Sequence, residues 1–90
     1  MNSKEKRIYD NIIARLRSYS GNDIWERILK EQDGDYNIAL PMTIDILELI
    51  INYEKGRKEV DKIIIEYYCE CYRMLYDLDN GINWDNYFNC

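Results

Sequence analysis

Three short segments hold residue types that chemistry could use: Cys69-Glu70-Cys71, Asp33-Gly34-Asp35-Tyr36-Asn37 and Asp77-Leu78-Asp79-Asn80-Gly81. Paired thiols ligate soft metals or exchange disulfides. Two residues apart on a helix, however, Cys69 and Cys71 point to different sides and cannot pair with each other. A zinc knuckle also needs a different spacing and a second ligand pair. Cys90 makes the cysteine count three, an odd number. All three are expected to be reduced thiols, with a bridge from Cys90 to one of the others as the lesser alternative.

The two acidic segments resemble calcium loops in their first positions only. In the first, Ile38 stands where the loop needs glycine and Ile44 where it needs a bidentate glutamate. In the second, Gly81 comes one place early. Both are expected to be ordinary turns. The chain has no histidine, so the commonest general base is missing and no Ser-His or Cys-His pair can form. No glycine-rich phosphate cradle is present. The sequence therefore predicts no enzyme, no catalytic, cofactor-binding or metal-binding residues, and no cofactor.

What remains is recognition, and it concentrates on one segment. On a helix through residues 57–79, Ile65, Tyr68, Tyr72 and Tyr76 form a stripe. It lies about 80–160° around the axis from Val60 and Leu78 at 100° per residue. The stripe reads either as packing against a neighbouring helix or as an interface, because tyrosine combines contact area with a polar tip. Glu59, Glu66, Glu70 and Asp77 line the other side, interrupted by Lys62 and Arg73. They read either as a solvated face with intrahelical pairs or as an acidic ridge that imitates a phosphate backbone in a basic groove.

The elements that must position these residues follow from hydrophobic period. Ile8, Ile12, Leu16 and Tyr19 give one amphipathic face to a first helix, about Lys4 to Tyr19, capped by Ser3 and stopped by Ser20-Gly21-Asn22. A short second helix, Ile24 to about Gln32, repeats Ile24, Trp25, Ile28 and Leu29. Tyr36 to Leu40 reads as an extended connector, because Leu40 precedes Pro41. A third helix, Pro41 to Lys55, is apolar over more than half its circumference, as helices buried on more than one side are. A fourth, Arg57 to Asp79, carries a seam of Val60, Ile64, Tyr67, Cys71, Met74 and Leu78. The apolar tail Ile82 to Phe88 is expected to pack on the bundle. The expected fold is all-α: a small antiparallel bundle of about four helices, one domain over residues 1–90.

Bulk properties agree. Ninety residues with 47% hydrophobic content can build one modest core. The start Met1-Asn2-Ser3-Lys4 is polar rather than a signal core, and apolar runs such as Leu49-Ile50-Ile51 are far too short to span a bilayer. A cytoplasmic location, with no membrane role, is the expectation. Residues 1–30 hold seven Lys/Arg against four Asp/Glu, and residues 31–90 hold five against thirteen. A net charge of −5 makes direct nucleic-acid binding a poor fit. Ile (14), Asn (9) and Tyr (9) are abundant and Ala occurs only at Ala14 and Ala39, the bias of an AT-rich genome such as a low-GC bacterium or its phage.

Together these point to a non-catalytic protein-binding regulator or inhibitor, of the kind found in phage and other mobile elements. It would act through the acidic ridge or the tyrosine face, with a nucleic-acid-processing enzyme as one class of partner. The alternative is a self-assembling homodimer joined through Tyr68, Tyr72 and Tyr76. A third reading is a small DNA-binding regulator using the basic first helix.

Overall fold

The computed structural model describes residues 1–80, which form four helices and no strand. The first, α1, spans Ser3–Ser20. Its cap is Asn2 rather than Ser3: Asn2 Oδ1 accepts from the Glu5 N–H at 2.8 Å, and Glu5 Oε1 accepts from the Asn2 N–H at 3.1 Å. This reciprocal box satisfies two donors that a helix start leaves free. Gly21, at φ 65°, closes the other end by donating its N–H to the Arg17 carbonyl. Helix α2 spans Ile24–Glu31 and buries Trp25 and Ile28. Asp33 and Gly34 then turn the chain at φ 54° and 77°.

Helix α3 spans Tyr36–Lys55, five residues longer at its start than the proline suggested. The connector expected at Tyr36 to Leu40 is helical. Asp35 caps it, its side chain accepting from the Asn37 N–H at 3.0 Å, and Ala39 and Leu40 are buried. Burial and a cap outweigh the preference of a pre-proline residue for extended backbone. Pro41 sits in the second turn, where its missing N–H removes only the bond to the exposed Asn37 carbonyl.

Helix α4 spans Lys62–Asn80 and begins later than expected. Asp61 Oδ1 accepts from the N–H groups of Ile63 and Ile64, which starts the helix there, and residues 56–61 form the connection. The expected seam holds at Cys71, Met74 and Leu78 and departs only in its first half. Val60 and Tyr67 are exposed and Ile64 is half-buried, whereas Tyr68, Cys71, Met74, Leu75 and Leu78 are buried. The cause is that α4 packs on both α1 and α3, so its buried arc widens toward Tyr68 and Leu75. The tail from Ile82 to Phe88, its expected packing and Cys90 lie outside the described residues.

The helices pack in a ring, α1 on α2, α2 on α3, α3 on α4 and α4 on α1. Helix α2 runs antiparallel to α1, and α4 antiparallel to α3. Arg17 of α1 pairs with Glu26 of α2 at 2.8 Å. Glu54 of α3 lies near Tyr68 of α4, Glu48 near Tyr72 and Leu40 near Leu78. Two polar devices fix the core register. The Thr43 hydroxyl donates to the Ala39 carbonyl at 2.8 Å, which leaves the Tyr9 hydroxyl to donate to Thr43 Oγ1 at 3.0 Å. Trp25 Nε1 donates to Ser20 Oγ at 3.0 Å, and that hydroxyl donates to the Leu16 carbonyl at 2.8 Å. The polar side-chain atoms of Tyr9, Thr43 and Trp25 thereby find partners.

Candidate protein-binding surface

The tyrosine stripe of α4 divides into three environments. Tyr68 is 5% exposed and belongs to the core. Burial raises its phenol pKa, helped by the Glu54 carboxylate and Cys71. Ile65 and Tyr72 are half-buried, and Tyr76 is 50% exposed. A homodimer through all three tyrosines would have to pull Tyr68 out of the core. The rings of Tyr72 and Tyr76 stack, with centroids 6.3 Å apart and planes 16° from parallel. Residues four apart on a helix face each other, which is what aligns the two rings.

Two carboxylates join this pair from α3. Burial raises the Tyr72 pKa, and Glu48, Tyr76 and Asp45 raise it further. The stack is therefore bordered by negative charge supplied by the neighbouring helix. In the sequence Asp45 and Glu48 belong to the polar strip of the third helix and not to the binding candidates, because only the antiparallel register of α3 on α4 brings them to Tyr72. The groove between the helices, lined by Glu48, Ile51, Asn52, Lys55, Cys69 and Tyr72, holds about 220 Å³. That is smaller than the roughly 300–1,000 Å³ of pockets that enclose small-molecule ligands.

The four acidic residues of the sequence reading are not equivalent. Glu59 lies in the connection before α4, exposed but off the helix. Glu66 is exposed and Asp77 half-buried. Glu70 is half-buried and pairs with Arg15 of α1 at 3.6 Å, so its charge is partly answered within the chain. The ridge on α4 thus reduces to Glu66 and Asp77, about 80–100° around the helix from Tyr76 with Lys62 and Arg73 between.

Burial holds Cys71 as an inert thiol. Cys71 is 1% exposed, and burial pushes its thiol up to about 12, the nearby Arg15 offsetting this only in part. A thiol so held is neutral and unreactive at ordinary pH. Cys69 is half-buried. Among the described residues no three His, Cys, Asp or Glu side chains gather as a metal ion would require. Asp33 and Asp35 instead close the turn from α2 to α3, and Asp35 is the α3 cap.

The basic first helix is also engaged. Arg15 and Arg17 are in ion pairs, and Lys6 lies over the Tyr36 ring at 5.4 Å. No helix of the described residues is long and apolar enough to cross a membrane. Comparison with protein-family models, curated proteins and solved structures finds no match to this chain.

Proposed function

We infer that this chain is a non-catalytic protein-binding regulator or inhibitor that docks a basic surface on another protein. The observation that carries this reading is the Tyr72–Tyr76 stack bordered by Asp45 and Glu48. Aromatic faces attract guanidinium groups, and nearby carboxylates accept their N–H donors in pairs. Glu66 and Asp77 add negative charge farther round α4, beyond Lys62 and Arg73. An arginine-rich protein surface is the chemistry that complements it. A nucleic-acid-processing enzyme, whose groove is basic because it binds phosphate, is the class of partner that fits. The Ile-, Asn- and Tyr-rich composition agrees with a phage or mobile-element source in a low-GC bacterium, where small inhibitors of such enzymes are useful.

The test is a titration with an arginine-rich peptide, alongside a matched glutamate-rich peptide. The arginine peptide should bind, more weakly as salt rises. Asp45→Asn with Glu48→Gln should weaken it at least about tenfold, the size of one hydrogen bond to a charged group. Tyr76→Ala should weaken it by a similar factor while circular dichroism stays unchanged, since Tyr76 is half exposed. No binding at low salt, or equal binding of both peptides, would remove the reading.

A further inference from the structure

The acidic segment that ends α4 closes on an asparagine followed by a glycine, Asn80-Gly81, and no other asparagine of the chain precedes a glycine. Asn80 is exposed and is the last residue of its helix. Its side-chain amide donates to the Tyr76 carbonyl at 2.7 Å, one of the carbonyls that a helix end leaves short of donors. The other asparagines among the described residues are held or crowded. Asn11, Asn37 and Asn52 lie within helices and precede isoleucine or tyrosine. The side chains of Asn2 and Asn22 accept from the Glu5 and Ile24 N–H groups at 2.8 and 3.0 Å.

We propose that Asn80 is a site of spontaneous deamidation in the folded protein. The Gly81 nitrogen gives its proton to hydroxide and attacks Asn80 Cγ. The new C–N bond closes a five-membered imide, the Cγ–Nδ2 bond breaks, and Nδ2 leaves as ammonia with a proton taken from water. Water then opens the imide at either carbonyl. One opening gives aspartate, and the other gives isoaspartate, whose main chain runs through Cγ. Glycine favours the attack because no Cβ crowds the nitrogen and its backbone reaches conformations closed to other residues. Position favours it too, since the final turn of a helix frays and frees Asn80 without global unfolding. The Asp33-Gly34 pair has the same spacing, but its Gly34 N–H donates to the Leu29 carbonyl at 3.0 Å, which keeps that nitrogen from attack.

The product differs from the parent in two ways that act on α4. The Tyr76 carbonyl loses its amide donor, and a carboxylate appears at a helix C-terminus, where the macrodipole disfavours it. The last turn already holds Asp77 and Asp79 and no basic residue. Deamidation therefore unwinds this turn and makes the chain one unit more negative. The reaction uses none of the peptide-binding reading, so the two can fail separately.

The experiment is peptide mapping by mass spectrometry of the full chain held at pH 8 over several days. Isoaspartate is read by its methylation with an isoaspartyl methyltransferase. The peptide spanning Asn80 should gain the mass of an amide-to-acid exchange, with isoaspartate in excess over aspartate and a rate that climbs with pH. Gly81→Val should slow the conversion many-fold, because a β-branched side chain crowds the attacking nitrogen. Asn80→Gln should stay unconverted, because its ring would be one atom larger. Amide hydrogen exchange should quicken at Asp79 and at position 80 in Asn80→Asp, and remain as in the wild type at Leu75. An Asn80 that stays intact in the folded chain while it converts in urea overturns the proposal, since the helix end would then protect it. Conversion to aspartate without isoaspartate, or equal conversion at Asn2 or Asn22, overturns it as well.

Discussion

Removing the hydroxyl of Thr43 should cost more stability than removing the whole Tyr9–Thr43 pair. Both residues are 0% exposed. The Thr43 proton goes to the Ala39 carbonyl, so Tyr9 donates and Thr43 accepts. Tyr9→Phe takes away the donor and leaves Thr43 with its bond to Ala39, a loss of about 0.5–1.5 kcal/mol. Thr43→Val keeps the shape but strands the Tyr9 hydroxyl in the core, and an unsatisfied buried donor costs roughly 1–3 kcal/mol. The double variant strands nothing, because the Ala39 carbonyl keeps its helical partner. It should therefore be more stable than Thr43→Val alone, and the cycle should give a coupling on the order of 1 kcal/mol. Urea unfolding followed by circular dichroism measures this. With a slope near 1 kcal/mol per molar urea, each such difference moves the midpoint by about 1 M. If the double variant is less stable than Thr43→Val by the full Tyr9→Phe amount, the two losses are additive. The hydroxyls would then not form the buried bond on which the α1–α3 register has been argued.

Other outcomes follow from the caps and the buried titratable groups. Asn2→Ala removes the Oδ1 that accepts from the Glu5 N–H, leaves the residue-2 N–H to donate to Glu5 Oε1, and should lower stability by about 1 kcal/mol in the same urea assay. Gly21→Ala meets no atom within 4 Å but forces a side chain to φ 65°, so it should cost about 1 kcal/mol from backbone strain alone. Cys71 should escape alkylation at pH 8 in the folded protein and react fully in urea, as peptide mapping by mass spectrometry would show. Its thiol rises from 9.0 unfolded to about 12 folded, so folding favours the protonated form. The stability it contributes is complete below pH 9 and is lost as pH climbs toward 12. Tyr9 and Tyr68 are also raised by burial above 10.0 and act in the same direction. Urea midpoints measured from pH 8 to 11 should fall, and less steeply in Cys71→Ala than in the wild type.

How much of this was legible in the sequence depended on whether local pattern or tertiary register decided the matter. The all-α fold, the first two helices and the stop at Ser20-Gly21-Asn22 come from local period and turn chemistry, and they were readable. The start of α3 was not, because Pro41 argued for an extended Leu40 while the deciding facts were burial of Ala39 and Leu40 and the Asp35 cap. The seam of α4 is legible at Cys71, Met74 and Leu78 but not at Tyr68 and Leu75, because a helix wedged between two others buries a wider arc than one seam. The wide apolar circumference of α3 was visible, but only the structure separates its core side from its outer side. The acidic ridge fared unevenly for the same reason. Glu59 falls before the helix, Glu70 meets Arg15 from α1, and the carboxylates beside the tyrosine stack come from another helix.

The measurement closest to the central claim is a map of backbone amide shifts by nuclear magnetic resonance as the arginine-rich peptide is added. Binding at the acidic–aromatic face predicts that the largest shifts cluster at Asp45, Glu48, Tyr72 and Tyr76, with smaller ones at Glu66 and Asp77. Shifts centred on α1 or α2, or spread evenly over the surface acids, would contradict it.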